Sequence, residues 1–199
     1  MKVVVLNSGG MDSVVLLNWV KENNPDAEIH CIHFDYGQNN REQEYAKAFD
    51  SSVKAGATFI PISLPKLYWT SSDFYGEKFI DAPSQELELR NLIFLSYAMS
   101  YCLSVGATEI NVAFLKENQY YKDTSPRFVS IVNAMASSFS VRVKAPLQSM
   151  GFYKENLGYF LKKYDIGPDD FFSCNTPVDG KPCGVCPDCK CIEELFEGY

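Results

Sequence analysis

"NSGGMDSVV", residues 7 to 15, separates the apolar run "KVVVL" at 2 to 6 from the helical-period run "VVLLNWV" at 14 to 20. The nonapeptide therefore reads as a strand-to-helix turn. The first N–H groups of a helix have no partner inside it, and with the positive end of the helix dipole they make an anion site. Gly9 and Gly10 let the backbone approach a phosphate with no Cβ in the way, and the hydroxyls of Ser8 and Ser13 add donors. Asp12 would repel a bare anion; its carboxylate makes sense if Mg2+ rides on the phosphates, because hard cations take oxygen ligands. Neither G-x-x-x-x-G-K-[ST] nor G-x-G-x-x-G occurs in the chain. For Gly-Gly alone, a tight turn with a capping Ser or Asp would be a sufficient description. The complete S-G-G-x-D-S in this setting points to a phosphate.

Outward from the turn, short β-rich runs alternate with helical-period segments: "KVVVLN" and 11 to 23, "EIHCIHFD" and 39 to 55, "TFIPI" and 86 to 105, "EINVAF" and 125 to 138, "VRVKAP" and 152 to 164. This alternation predicts an α/β fold, a parallel sheet of about five strands with helices on both faces. Ligands of such sheets bind beyond the carboxyl ends of the strands, where the motifs fall. Ser63 to Gln85, rich in Ser, Pro, Asp and aromatics, is the longest irregular segment and reads as a lid, a substrate loop or a plain connection. His30 and His33 are three apart in a strand, so they point to opposite faces and are packing residues rather than a metal pair.

At 199 residues the chain fits one domain that buries roughly two thirds of its unfolded surface. Charged residues are 22% and hydrophobic ones 46%, ordinary globular usage that excludes a disordered or fibrous class. No apolar run is long enough to cross a bilayer or to serve as a signal peptide, so we expect a cytoplasmic protein. The formal charge of -7 argues against a broad nucleic-acid surface and for a small substrate.

Seven cysteines are present, five of them between Cys174 and Cys191. Clustering of this kind in a cytosolic chain suggests metal rather than disulfides. Cys31 and Cys102 stand apart in apolar segments and read as core residues. Cys174, Cys183, Cys186 and Cys189 form C-x8-C-x2-C-x2-C. Tetrahedral Zn2+ would neutralise the four thiolates and leave no open position, making the site structural. An iron-sulfur cluster is the competing reading of the tight spacing. Cys191 falls just outside the set and reads as a competing ligand or a free thiol.

The turn at residues 8 to 13 resembles the pyrophosphate loop of the ATP pyrophosphatase (PP-loop) superfamily. "HFDYGQ" at 33 to 38, Arg90-Asn91 followed by "LIFLSYA", Tyr121-x-Asp123 and "APLQSMGFYKEN" at 145 to 156 are, with the four-cysteine tail, similar to segments of the 7-cyano-7-deazaguanine synthase family. That resemblance covers residues 3 to 189. It implies an adenine nucleotide alpha-hydrolase-like fold in a single domain, 1 to 199, with a zinc-binding tail at 171 to 191. It also implies an ATP-dependent ligase of queuosine biosynthesis that converts 7-carboxy-7-deazaguanine and ammonia to 7-cyano-7-deazaguanine, releasing AMP and pyrophosphate. The resemblance implies that Leu6, Asn7, Ser8, Gly9, Gly10, Met11, Asp12, Ser13, Phe34 and Gln38 hold ATP. It gives Asp12, Lys154 and Arg90 catalytic roles and makes Arg90, Asn91, Tyr121 and Asp123 the substrate contacts. ATP and catalytic Mg2+ are then expected beside the structural zinc. Physically, Arg90 offers a planar fork for a carboxylate or phosphate, Lys154 a mobile point charge, and Asp123 an acceptor for a purine N–H edge or a cap near Ser125.

The chain departs from the family pattern at Glu88-Leu89, Ala113 and Lys116-Glu117, and it is shortened before Arg90. A variant that halts at 7-amido-7-deazaguanine or takes another carboxylate is therefore an alternative, as are a PP-loop tRNA-modifying enzyme and a catalytically idle nucleotide-sensing module. The acidic balance opposes the tRNA reading. No glutaminase domain is read, so free ammonia or a partner supplies nitrogen. A homodimer is compatible with these partners; nucleic acid and membrane are not expected.

Overall fold

β1 (Lys2–Leu6) is the central strand of the sheet, and its run of valines suits that place: Val3, Val4 and Val5 are fully buried, alternately on the two faces. The computed structural model describes residues 1–65 and 89–197. β2 (Glu28–Asp35), β3 (Thr58–Ser63), β4 (Glu109–Asn111) and β5 (Arg142–Lys144) complete a five-stranded sheet in the order β3-β2-β1-β4-β5, with every pairing parallel. The strand order reverses direction between β1 and β4, which opens a crevice at their carboxyl ends.

Helices α1 (Met11–Asn23), α2 (Arg41–Ala55), α3 (Arg90–Val105), α4 (Pro126–Ser137), α5 (Pro146–Ser149), α6 (Gly158–Lys163) and α7 (Pro187–Glu197) cover the sheet. Val4, Ile32 and Phe34 pack with α3 and α4 on one face; Val3, Val5 and Cys31 pack with α1, α5 and α6 on the other. None of the helices among the described residues is long and apolar enough to cross a membrane. Cys31 and Cys102 are buried, and burial pushes their thiols up to about 11 and about 12, so they behave as core residues.

The elements differ from the sequence expectation at several ends. "EINVAF" pairs only over Glu109–Asn111, and "VRVKAP" stops at Lys144 because Pro146 opens α5. The segment 152 to 164 is a 3-10 turn, Lys154–Leu157, and then α6. α7 inside the cysteine tail was not anticipated. Residues 66–85 of the irregular segment and the first turn of the helix expected from 86 lie outside the described residues.

His30 and His33 do face opposite ways. His30 bonds to Tyr101 Oη (2.7 Å) and Glu28 Oε1 (2.9 Å), whereas His33 lies among Tyr45 and Phe59. His33 Nδ1 is 3.1 Å from the Asn7 carbonyl and must carry the proton to bond there. Its Nε2 is buried with no partner among the described residues, and burial pulls the pKa below the usual 6.5. Below pH 6.5 the unfolded chain therefore binds a proton that the folded chain refuses, so the contribution of His33 to stability is present above that value and is lost as pH falls. Urea midpoints measured between about pH 7.5 and 5 should fall less for His33→Gln than for the wild type; equal slopes would dismiss His33 as the group responsible.

Gly9 has φ +84°, and a Cβ there would sit 2.2 Å from the Glu44 carbonyl oxygen and 2.8 Å from the Ala48 nitrogen. The backbone of α2 thus passes directly over the turn. Gly9→Ala should cost ~3 kcal/mol, because neither backbone can give way. Thermal unfolding would reveal this as a lowered Tm; an unchanged Tm would mean that α2 has moved aside.

Candidate active site

The turn after β1 is held by its own side chains. Asn7 is buried, its Nδ2 donating to the Ala48 carbonyl (3.2 Å) and to Ser51 Oγ (2.9 Å) of α2, while its Oδ1 accepts from Gly9 N (3.0 Å). Gly10 N donates to Ser8 Oγ (3.2 Å), which lies 3.1 Å from Ser13 Oγ. Met11 N, at the start of α1, donates to Ser173 Oγ (3.0 Å), supplied by the cysteine tail. Gly10 is the N-cap and provides no side-chain cap, so these hydroxyls take the acceptor positions that a phosphate oxygen would take at Gly10 N and Met11 N.

A cavity of about 330 Å3 opens at the carboxyl ends of β1, β2 and β4, and Leu6, Asn7, Ser8, Gly10, Met11, Asp12, Ser13, Phe34, Arg90, Asn91 and Lys154 line it. All of these are among the site residues to which the sequence points. Gly9 and Gln38, expected beside them, are not in the wall. The missing side chain of Gly9 makes room for α2. Gln38 is buried behind the wall, where Oε1 accepts from Tyr36 N (2.9 Å) and Nε2 donates to the Phe34 carbonyl (3.2 Å) and Glu44 Oε2 (2.9 Å).

Tyr121 and Asp123 also fall outside the lining. Asp123 Oδ2 accepts from Asn91 N and Nδ2 (3.1 Å each), so it caps the start of α3; Ser125 itself caps α4 by accepting from Phe128 N (3.2 Å). Asp123 thereby orients Asn91, which does reach the cavity.

Electrostatics divide the cavity into two ends. At the turn, Asp12 Oδ1 is buried with no hydrogen-bond partner among the described residues. Burial raises its pKa, Lys154 opposes the shift, and Asp188 and Glu117 reinforce it. Lys154 Nζ is ion-paired with Asp188 Oδ1; burial works against its charge, but Asp12 and Asp188 outweigh burial and lift its pKa. Glu117 Oε1 accepts from Lys154 N (2.9 Å). At the other end, Arg90 Nη1 donates to Tyr36 Oη (3.1 Å), and the guanidinium lies over the Tyr36 and Phe94 rings at 5.6 and 5.9 Å. Phe34 and Phe94 stack at 4.3 Å with planes 3° apart, an apolar wall suited to a flat ring.

The cysteine tail forms part of this site. Cys174, Cys183, Cys186 and Cys189 bring their four sulfurs within 4.8 Å of one another, and Cys191 is not in the group. Two of the separations are 4.0 Å, and backbone N–H groups of Cys183 and Cys186 approach Cys174 and Cys183 Sγ at 3.3 and 3.4 Å. That donor set fits one tetrahedral metal ion. Phe172 N donates to the Gly9 carbonyl (2.9 Å), Asn40 Nδ2 to the Cys174 carbonyl (3.0 Å), and Asn175 Nδ2 to Asp188 Oδ2 (3.1 Å). Phe172, Ser173, Asn175 and Asp188 line the cavity with Glu44 and Phe94. None of these six was picked from sequence. For the tail residues, adjacency to the cysteine ligands was the available signal.

The sheet order and the S-G-G-x-D-S turn at its switch point define a PP-loop α/β protein. The chain belongs to the family described as Queuosine biosynthesis protein QueC, whose model matches residues 2–199. It is 27% identical to the 7-cyano-7-deazaguanine synthase of Aquifex aeolicus (strain VF5), over 98% of this chain and 96% of the relative. It is 31% identical to that of Methanobrevibacter smithii, over 98% and 93%. Among solved structures it resembles the U34-tRNA thiolase NcsA from Methanococcus maripaludis with its [4Fe-4S] cluster, with a TM-score of 0.62 and 11% identity, covering 100% of this chain and 66% of that one. At that identity the likeness concerns the fold alone.

Because the tail reaches Gly9, Met11 and Lys154, removing a metal ion held by the four cysteines with a strong chelator should lower Tm by several degrees and weaken any binding of ATP at the turn at least tenfold. Calorimetry and thermal unfolding check this. A chelated protein that keeps its nucleotide affinity would uncouple the tail from the turn.

Proposed function

We propose that this chain is an ATP-dependent carbon–nitrogen ligase that converts 7-carboxy-7-deazaguanine and ammonia to 7-cyano-7-deazaguanine, with AMP and pyrophosphate as coproducts. The observation that carries this reading is the juxtaposition, across one cavity, of the Ser8 to Ser13 turn and Lys154 with Arg90, Asn91 and the Phe34–Phe94 wall. The naming of its relatives over nearly their whole length adds support. The working unit is the whole chain, 1 to 199, with residues 171 to 191 as its metal-binding tail.

In this reading the turn holds the β- and γ-phosphates, whose oxygens displace the hydroxyl of Ser173 from Met11 N and that of Ser8 from Gly10 N. Lys154 neutralises charge on the departing pyrophosphate. The unpartnered Asp12 oxygen suits a hard cation, and Mg2+ bound there would screen the phosphates from the carboxylates of Asp12 and Asp188. The substrate carboxylate attacks the α-phosphorus, pyrophosphate leaves, and ammonia displaces AMP to give the amide. A second adenylation at the amide oxygen allows it to leave as AMP, producing the nitrile. Arg90 and Asn91 orient the substrate, whose ring lies against Phe34 and Phe94. Holding adenylate and amine together removes much of the entropic barrier.

For the tail, separations of 4.0 Å between sulfurs favour a single Zn2+, because an iron-sulfur cubane spreads its four thiolates over a wider tetrahedron. Zinc there would be structural, as all four positions are filled by protein. Ala113 lines the cavity where the family pattern has glycine, and a second reading, in which the product stops at the amide, starts from that departure.

Incubation with ATP, Mg2+, 7-carboxy-7-deazaguanine and ammonium should release pyrophosphate and AMP, and mass spectrometry should find the nitrile, or the amide under the second reading. Asp12→Ala should reduce pyrophosphate release by at least about a thousandfold. Formation of ADP without AMP would overturn the ligase reading.

A further inference from the structure

The nitrogen donor presents a chemical difficulty that the phosphate turn, Lys154 and Arg90 do not meet. At neutral pH ammonia is almost wholly ammonium, which has no lone pair to attack an adenylate. A site that uses it needs an anion to draw the cation in and a base to take its proton. Among the described residues three carboxylates line the cavity: Asp12, Glu44 and Asp188. Asp188 is committed to Lys154 and Asn175, and Asp12 faces the same lysine at the phosphate end.

Glu44 differs from both. It projects from the first turn of α2, and its donors are two neutral carboxamides, Gln38 Nε2 to Oε2 (2.9 Å) and Asn40 Nδ2 to Oε1 (3.1 Å). Each carboxylate oxygen retains capacity for one further donor. Gln38 and Asn40 are themselves almost fully buried and fixed, Gln38 by Tyr36 N and the Phe34 carbonyl, Asn40 by the Cys174 carbonyl. The carboxylate is therefore held rigidly at the wall, on the side of the cavity lined by Tyr36 and Arg90.

We propose that Glu44 receives ammonium in this cavity and accepts the proton it must lose before attacking the adenylated carboxyl carbon. The proposal rests on the ligase reading above. One N–H bond of ammonium breaks and its proton passes to Glu44. The freed lone pair forms the C–N bond, the C–O bond to phosphate breaks, and AMP leaves with that electron pair. The amide nitrogen sheds its surplus proton to water, and Glu44 returns its own to solvent. Burial pushes the Glu44 carboxyl up to about 7, against the hydrogen bond from Gln38 and the charge of Arg90. Among the described residues Asp35 is the other charged group acting on it and adds to the rise. A base poised there exchanges a proton with ammonium and solvent near neutral pH.

Glu44→Gln keeps the shape and removes the base. It should raise KM for total ammonium at least tenfold while leaving KM for ATP within about threefold. With subsaturating ammonium, the wild-type rate should level off above about pH 7, whereas the variant should keep rising about tenfold per pH unit as free ammonia grows. Hydroxylamine is uncharged at neutral pH and needs no such base, so the variant should form hydroxamate at close to the wild-type rate. Parallel loss of ammonium- and hydroxylamine-dependent product would make Glu44 merely structural and overturn the proposal. An unchanged KM for ammonium would do the same. A wild-type protein that yields neither amide nor hydroxamate would instead remove the ligase reading, and the role of Glu44 with it.

Discussion

The passage of residues 8 to 11 between α2 and the cysteine tail is the constraint on which the site depends. On one side the backbone of α2 comes so close to Gly9 that no side chain fits; on the other, Phe172 N bonds to the Gly9 carbonyl and Ser173 Oγ caps Met11 N. The buried carboxamide of Asn7 ties the end of β1 to α2 at the same level. The turn is thus clamped, and under the proposed function a phosphate would displace only the Ser173 and Ser8 hydroxyls from backbone donors already in place.

Charge is placed with equal economy in an acidic chain. Asp12 and Asp188 act on Lys154, so that this buried cation beside the turn stays charged. Arg90 lies at the other end, over aromatic rings and near Glu44. Anionic phosphate and a flat, carboxylate-bearing ring would therefore meet separate cations, with the stacked pair Phe34 and Phe94 as a shared wall.

The tail links the two ends of the cavity. Its cysteines gather around one point, while the residues between and beside them reach inward: Ser173 to α1, Asp188 to Lys154, and the Cys174 carbonyl to Asn40, which in turn holds Glu44. A metal ion there would stiffen both ends of the cavity through ordinary hydrogen bonds and one ion pair.

Much of this was legible in the residues themselves. Strand and helix periods foretold the five-stranded parallel sheet, and local chemistry foretold the turn with Ser8, Gly10, Asp12 and Ser13 and the four-cysteine cluster, because each depends on neighbours in the chain, while Leu6, Asn7 and Met11 came from the family resemblance. Short-range patterns could not foretell that Gly9 serves helix packing, that Gln38 and Asp123 stand behind the wall, or that Ser173, Asp188 and Glu44 enter it. Those outcomes arise from contacts between segments as much as 162 residues apart, where position is decided by how α2 and the tail pack over the sheet, and no periodicity in the sequence carries that distance.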